Sequence, residues 1–170
     1  MLSVYRDMTT EEIEDVLTLI PYGHFGASVD GKTIVLPLAF TYEKNVLLGH
    51  TYEGFKIEFL RKNPKVCFQV EHVRGPNHWS SVLMWGTFTE LSGKEAVAVV
   101  QKIVERFSNF TGDWRGFLPL SPESASHSVR IDKEKPIFFR IDIEEKCGRF
   151  EKTEHRPNTN DVVVQLLRML

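Results

Sequence analysis

A chain of 170 residues is one domain's worth, long enough to bury roughly two-thirds of the surface its unfolded form would expose. A formal net charge of −2 and a pI near 6.3 exclude the basic face or stripe that nucleic-acid binding calls for. Nowhere do about 18 apolar residues run together, as a membrane-spanning helix needs, and the acidic N-terminus is unlike a signal peptide, so a cytosolic protein is expected.

Thr9 and Glu12 stand in capping-box register, and Ile13, Val16, Leu17 and Ile20 repeat at helical spacing up to Pro21, which predicts a first helix over about 10–20. The period then changes to two. "YGHFGASV", the turn "DGK" and "TIVLPLAFTY" read as a hairpin whose second strand puts Ile34, Leu36, Leu38, Phe40 and Tyr42 on one face. The other face carries the smaller Thr33, Val35, Pro37, Ala39 and Thr41. Proline cannot donate to a ladder, so this part is either an ordinary edge strand or lies beside something other than a strand, where a flat ligand has room.

After "EKN" comes a short strand, "VLLGH", then a helix over about 53–62 ended by Asn63 and Pro64. "KVCFQVEHV" and "WSSVLMWGTFTEL" follow as strands, and Gly86 in the second marks a bulge or a close approach by another backbone. Val97, Val100, Ile103, Val104 and Phe107 mark a third helix from Lys94 to Phe107, with Ser92 and Glu95 in capping-box register. Residues 108–135 are rich in turn formers and aromatics, and predict an ordered excursion with one helical turn. "PIFFRIDIEEKCGRFE" is a final strand with Ile137, Phe139, Ile141 and Ile143 inward. The expectation is a mainly β domain over 1–152, a six-stranded antiparallel split β-barrel with flanking helices, followed by a C-terminal tail, 153–170, whose apolar end favours docking on the barrel or a partner subunit.

Cys67 and Cys147 lie in predicted strands without metal-ligand spacing and read as buried thiols. The six histidines, His24, His50, His72, His78, His127 and His155, form no HxH or HxxxH pair, so no metal site is expected; neither a nucleophile elbow nor a nucleotide loop is present.

The chemistry concentrates at "GHTYEGFKIEFLRKNP". Lys56 falls in or just after the first turn of the second helix, beside the positive end of the helix dipole, where a cation is locally unfavourable. A lysine there, with a Thr hydroxyl and a glycine that permits close approach, is good phosphate chemistry; a solvated surface lysine is the plain alternative. The second candidate is the pair Ser80 and Ser81, whose hydroxyls alternate so that only one can face a given ligand.

These motifs in order, His50, then Gly54, Phe55 and Lys56, then Asn63, Pro64 and Val66, then Ser81, Val82 and Gly86, resemble the FMN-binding split β-barrel family related to pyridoxamine 5′-phosphate oxidase, in its nitroimidazole-resistance-protein-like branch. The resemblance spans roughly residues 10–150. It implies a homodimer with FMN at the subunit interface, the phosphate near Gly54, Phe55 and Lys56, and the ring bordered by the backbone of Leu36, Pro37, Leu38 and Ala39. His50, Thr51 and a serine of the Ser80, Ser81, Val82 segment, Ser81 by motif position, are implied as hydrogen-bonding partners. The chain departs from the vitamin B6 oxidases, which carry further basic residues and a C-terminal substrate motif; Phe55 stands where they have another cation, so vitamin B6 oxidation is not expected. An oxidoreductase acting on a small aromatic or nitro-type compound is implied, with a non-catalytic flavin store or sensor, or a barrel for haem (on His50 or His24) or a deazaflavin, as alternatives.

Overall fold

The computed structural model describes residues 2–108 and 136–154. Nearly all of the excursion expected over 108–135, and the tail beyond Glu154, lie outside them. The elements in order are β1 (Leu2–Asp7), α1 (Thr10–Leu19), β2 (Tyr22–Val29), β3 (Lys32–Ala39), β4 (Thr41–Glu43), β5 (Val46–Tyr52), α2 (Phe55–Lys62), β6 (Lys65–Gly75), β7 (His78–Leu91), α3 (Gly93–Ser108) and β8 (Pro136–Glu154). All strand pairs are antiparallel, in the order β3-β2-β6-β7-β8-β5-β4, with β1 added along the far end of β8.

Among the described residues this split barrel has eight strands rather than the expected six. The long run "TIVLPLAFTY" breaks at Phe40, whose N–H turns back to the Pro21 carbonyl (2.9 Å), leaving β3 paired with β2 and β4 paired with β5. The other addition is β1, which sequence periodicity did not signal. It is set by a partner almost 150 residues away, Leu2 opposite Glu154 through Asp7 opposite Arg149.

Local signals explain much of the rest. Asp30 and Gly31 (φ +50° and +76°), then Lys44 and Asn45 (φ +46° and +67°), supply the positive dihedrals that two-residue hairpin loops require. Thr9 caps α1 as the capping box predicts: the Glu12 N–H donates to Thr9 Oγ1 (3.3 Å) and the Thr9 N–H to Glu12 Oε2 (2.8 Å), while Arg6 grips the same carboxylate. Together these hold the Glu12 carboxyl down at about 2, Arg6 contributing most.

The main core lies inside the sheet, where Phe25, Phe68, Val70, Val82, Met84, Phe139 and Ile141 meet Ile13 and Leu17 of α1 and Ile57 and Leu60 of α2. Ile34, Leu36, Leu38 and Tyr42 pack against it, so the large face of the hairpin strand is the inward one, as its alternation indicated. A second cluster joins Leu48 of β5 to Val99, Ile103 and Phe107 of α3, with Phe138 beside them. β5 is therefore covered on both faces, Leu47 within the barrel and Leu48 under α3, which is why its sequence is a continuous apolar run. The buried stripe of α3 differs from the expected one. Val97 and Val104 are 58% and 40% exposed, and Val99 replaces them, because the side chains of β5 and β8 decide which valines find an apolar partner. At its start Gly93 turns to φ +57°, and the Ser92 carbonyl, rather than its side chain, accepts from the Ala96 N–H (3.5 Å). Lys146 of β8 donates to Glu14 and to Tyr42 Oη (3.0 Å) and Asn45 Oδ1 (2.5 Å), tying α1 to the β4 hairpin.

Gly86 answers to both expectations for it. The β7–β8 register slips between Trp85 and Gly86, leaving Glu144 as the extra residue, and a methyl group on Gly86 would stand 2.3 Å from the Asp142 carbonyl oxygen. The bulged Glu144 is held by Lys65 Nζ (2.7 Å) and the Thr87 hydroxyl (2.5 Å). The cysteines do not fit their expectation. Cys67 is half-buried and Cys147 exposed, because both side chains fall on the outer face of strands whose inward neighbours fill the core.

A candidate anion and ring cleft at the start of the second helix

β5 leaves the sheet with His50, Thr51 and Tyr52, and α2 begins after Glu53 and Gly54, so Lys56 is the second residue of the helix. The helix starts two residues later than its expected first residue, which brings the lysine nearer to the unpaired first-turn N–H groups. The N-cap, Gly54, has no side chain to cap this start; the Ile57 and Glu58 N–H groups return to the Gly54 carbonyl at 2.9 and 3.1 Å. Gly54 takes φ +150°, ψ −170°, and an added methyl group would meet nothing within 4 Å, so the backbone at the helix mouth is open to an approaching group.

Beside this mouth is a cleft of about 300 Å³ lined by Tyr22, Pro37, Leu38, Ala39, His50, Thr51, Tyr52 and Lys56. Six residues nominated from sequence thus meet in one place. Its floor is the small-residue face of β3, which among the described residues pairs with β2 alone and so is the edge strand that Pro37 requires. One end is polar. Thr51 is 6% exposed, yet its Oγ1 finds no hydrogen-bond partner among the described residues, a costly state for a buried hydroxyl.

His50 packs between the rings of Tyr52 and Phe138, each centroid 6.2 Å away. Burial first, and then the charge of Lys56, pull its pKa from 6.5 to about 4, so the imidazole is neutral at pH 7. Its unfolded form binds a proton from about pH 6.5 downward, while the folded form resists until about pH 4. The sign follows: the ligand-free protein loses stability as pH falls through this window, by up to about 3 kcal/mol from this residue. Urea midpoints at pH 7 and 4.5 should therefore drop further for the wild type than for His50→Gln. Equal drops would show that the ring titrates normally.

The remaining nominated residues are distributed differently. Leu36 faces the core behind the cleft. Phe55 is 59% exposed at the lip, its ring against Phe59. Ser80, Ser81 and Val82 do not reach the cleft of their own chain. Val82 is fully buried in the barrel; Ser80 lines a separate hollow of about 320 Å³ between α1 and the ends of β6, β7 and β8; Ser81 opens on the outer sheet face and accepts from Gln69 Nε2 (3.1 Å). Two cleft residues were missed, Tyr22 and Tyr52. The first was within reach, since a two-residue loop at Asp30 and Gly31 places Tyr22 opposite Ala39; the second follows His50 by two on the same strand face.

The cation next along α2, Arg61, is already committed. It grips Glu90 through Nε (2.7 Å) and Nη2 (3.0 Å) and Glu53 through Nη1 (2.6 Å) and Nη2 (3.0 Å), and these carboxylates raise its pKa. Among the described residues no cluster of His, Cys, Asp or Glu is placed to hold a metal ion, and no helix is long and apolar enough to cross a membrane.

An antiparallel split barrel thus carries a cleft in which Pro37, Leu38 and Ala39 form an apolar wall and Lys56, at the start of α2, a cationic end. The chain belongs to the pyridoxamine 5′-phosphate oxidase family, whose model matches residues 9–149. Among solved structures it is similar to an FAD-binding protein of Mesorhizobium loti (TM-score 0.70, 26% identity, covering 89% of this chain and 100% of that one). It shares its fold with a candidate 5-nitroimidazole antibiotic resistance protein of Bacteroides thetaiotaomicron (TM-score 0.64, 17% identity, covering 91% and 93%). An uncharacterised protein of Rhizobium meliloti is 25% identical over 150 residues, covering 85% of this chain and 93% of that protein.

Proposed function

We propose that this chain is a flavoprotein that takes FMN in the cleft at the start of α2 and acts as an oxidoreductase on a small aromatic or nitro-type compound. The observation that carries the reading is Lys56, which lines the cleft in the first turn of a helix whose N-cap, Gly54, makes no side-chain hydrogen bond: a cation and a helix start that each gain from one phosphate, with Thr51 lining the same cleft. Lys56 would supply the charge, Thr51 and the first-turn N–H groups the hydrogen bonds, and Pro37, Leu38 and Ala39 the ledge for the ring. A bound flavin supplies the hydride or electron chemistry; the protein contributes orientation and field.

The M. loti relative is an FAD-binding protein, and FAD is the rival ligand. A diphosphate bears more charge than FMN's single phosphate, and Arg61, the next cation on α2, is held by Glu53 and Glu90 in a cluster whose net charge is negative. This favours a single terminal phosphate. We further propose a homodimer joined through the outer sheet face. Tyr5, Val35, Val73 and Trp85 are exposed there at 39 to 65%, and Ser81, which cannot reach its own cleft, is on that face and can complete the cleft of a second copy.

Fluorescence titration of the purified protein with FMN, FAD and riboflavin tests the ligand. Binding in the order FMN, then FAD, then riboflavin is expected, and riboflavin as tight as FMN would remove the phosphate site. Oxidation of NADH or NADPH on adding a nitroaromatic acceptor then separates an enzyme from a flavin store.

A further inference from the structure

The cleft holds two groups that can be cationic, one permanently and one on demand, and they are arranged so that an anion changes the second. His50 lies on β5 with its ring against Phe138 of β8 and Tyr52 of its own strand. Across the cleft β3 presents Pro37 and Ala39, β2 presents Tyr22, and α2 presents Lys56. Of these groups only Lys56 is charged near neutral pH, and the nearby carboxylate of Glu53 is bound to Arg61. The described residues lining the cleft include no carboxylate, and Lys56 is the charge that acts on the ring, so in the empty cleft a proton on it would be half-buried beside an ammonium.

We propose that filling this cleft is proton-linked, the anionic end of the ligand and a proton on His50 entering together. The inference rests on the FMN reading above. A phosphate brought against Lys56 cancels the repulsion that the lysine exerts and offers an acceptor for an imidazolium N–H, so the protonated ring, disfavoured without the ligand, becomes favoured with it. Linkage then requires the reverse: lower pH must tighten the anion's hold, by up to tenfold per pH unit for one proton. Burial of the ring keeps it neutral at pH 7 in the empty site, its pKa near 4, so the coupling acts in the range where a modest acidification matters.

The test measures the FMN dissociation constant from pH 7.5 to 5.0 for the wild type and for His50→Gln, with riboflavin as the uncharged ligand. Because the FMN phosphate itself takes up a proton near pH 6, the quantity read is the ratio of the two proteins' constants. That ratio should shift about fivefold in favour of the wild type between pH 6 and 5 with FMN, and stay flat with riboflavin. Parallel profiles in two proteins that both bind FMN would overturn the proton linkage and leave the FMN reading standing; absence of FMN binding at every pH would overturn both. Imidazole NMR on the wild type gives a reading that needs no variant. The His50 ring should titrate near 4 without ligand and near 6 or higher with FMN bound, and an unmoved midpoint would sink the proposal.

Discussion

Lys56→Ala is expected to give a folded protein that has lost about 10- to 100-fold in affinity for FMN, the loss of one charge-assisted contact of roughly 1.5–3 kcal/mol. The side chain sits in the first turn of α2 beside the cleft. Since a cation at a helix start opposes the dipole, its removal should leave the thermal midpoint unchanged or raise it by a degree or two, an effect of about 0.3–1 kcal/mol. Opposite signs for binding and stability distinguish a ligand-holding lysine from a structural one. Lys56→Arg keeps the charge and should retain most of the affinity. A variant that binds FMN as tightly as the wild type would show that the phosphate is held elsewhere.

Gly86→Ala should do the reverse. Its Cβ would meet the Asp142 carbonyl oxygen at 2.3 Å and the Ile141 side chain at 3.0 Å, and a strand backbone cannot step aside as the tip of a flexible side chain can. β7 and β8 must part at the bulge, at a cost of about 1–3 kcal/mol and a fall of roughly 3–10 °C in the thermal midpoint. The FMN affinity of the molecules that remain folded should change little, because Gly86 contributes no group to the cleft. Chemical denaturation alongside flavin titration checks both halves. A stable Gly86→Ala protein would mean that the bulge relaxes cheaply. One family motif thus holds residues kept for two different physical reasons, one for a ligand and one for the approach of two strands.

How much of this was open to a reader of the residues depends on the range of the interaction involved. The hairpin β2–β3, the α1 capping box and the stop of α2 at Asn63 and Pro64 rest on contacts a few residues apart, so the chain itself declares them. The cleft was legible for the same reason: the ledge from Pro37 to Ala39 and the step from His50 to Lys56 are each short local pieces whose chemistry shows in their spacing.

The amino-acid sequence by itself determined the inward face of each main strand, the polarity of the helix mouth and the place of a lysine against its own dipole, since alternation, turn dihedrals and first-turn electrostatics act within a few residues. Tertiary structure alone decided that β1 joins β8, that Val99 rather than Val97 or Val104 is buried on α3, that the two cysteines look outward, and that Ser81 faces away from Lys56 of its own chain. Each of these is a choice between near-equal local alternatives. The side chains that settle it come from strands distant in sequence, and no periodicity can announce a neighbour that arrives only when the barrel closes on its core.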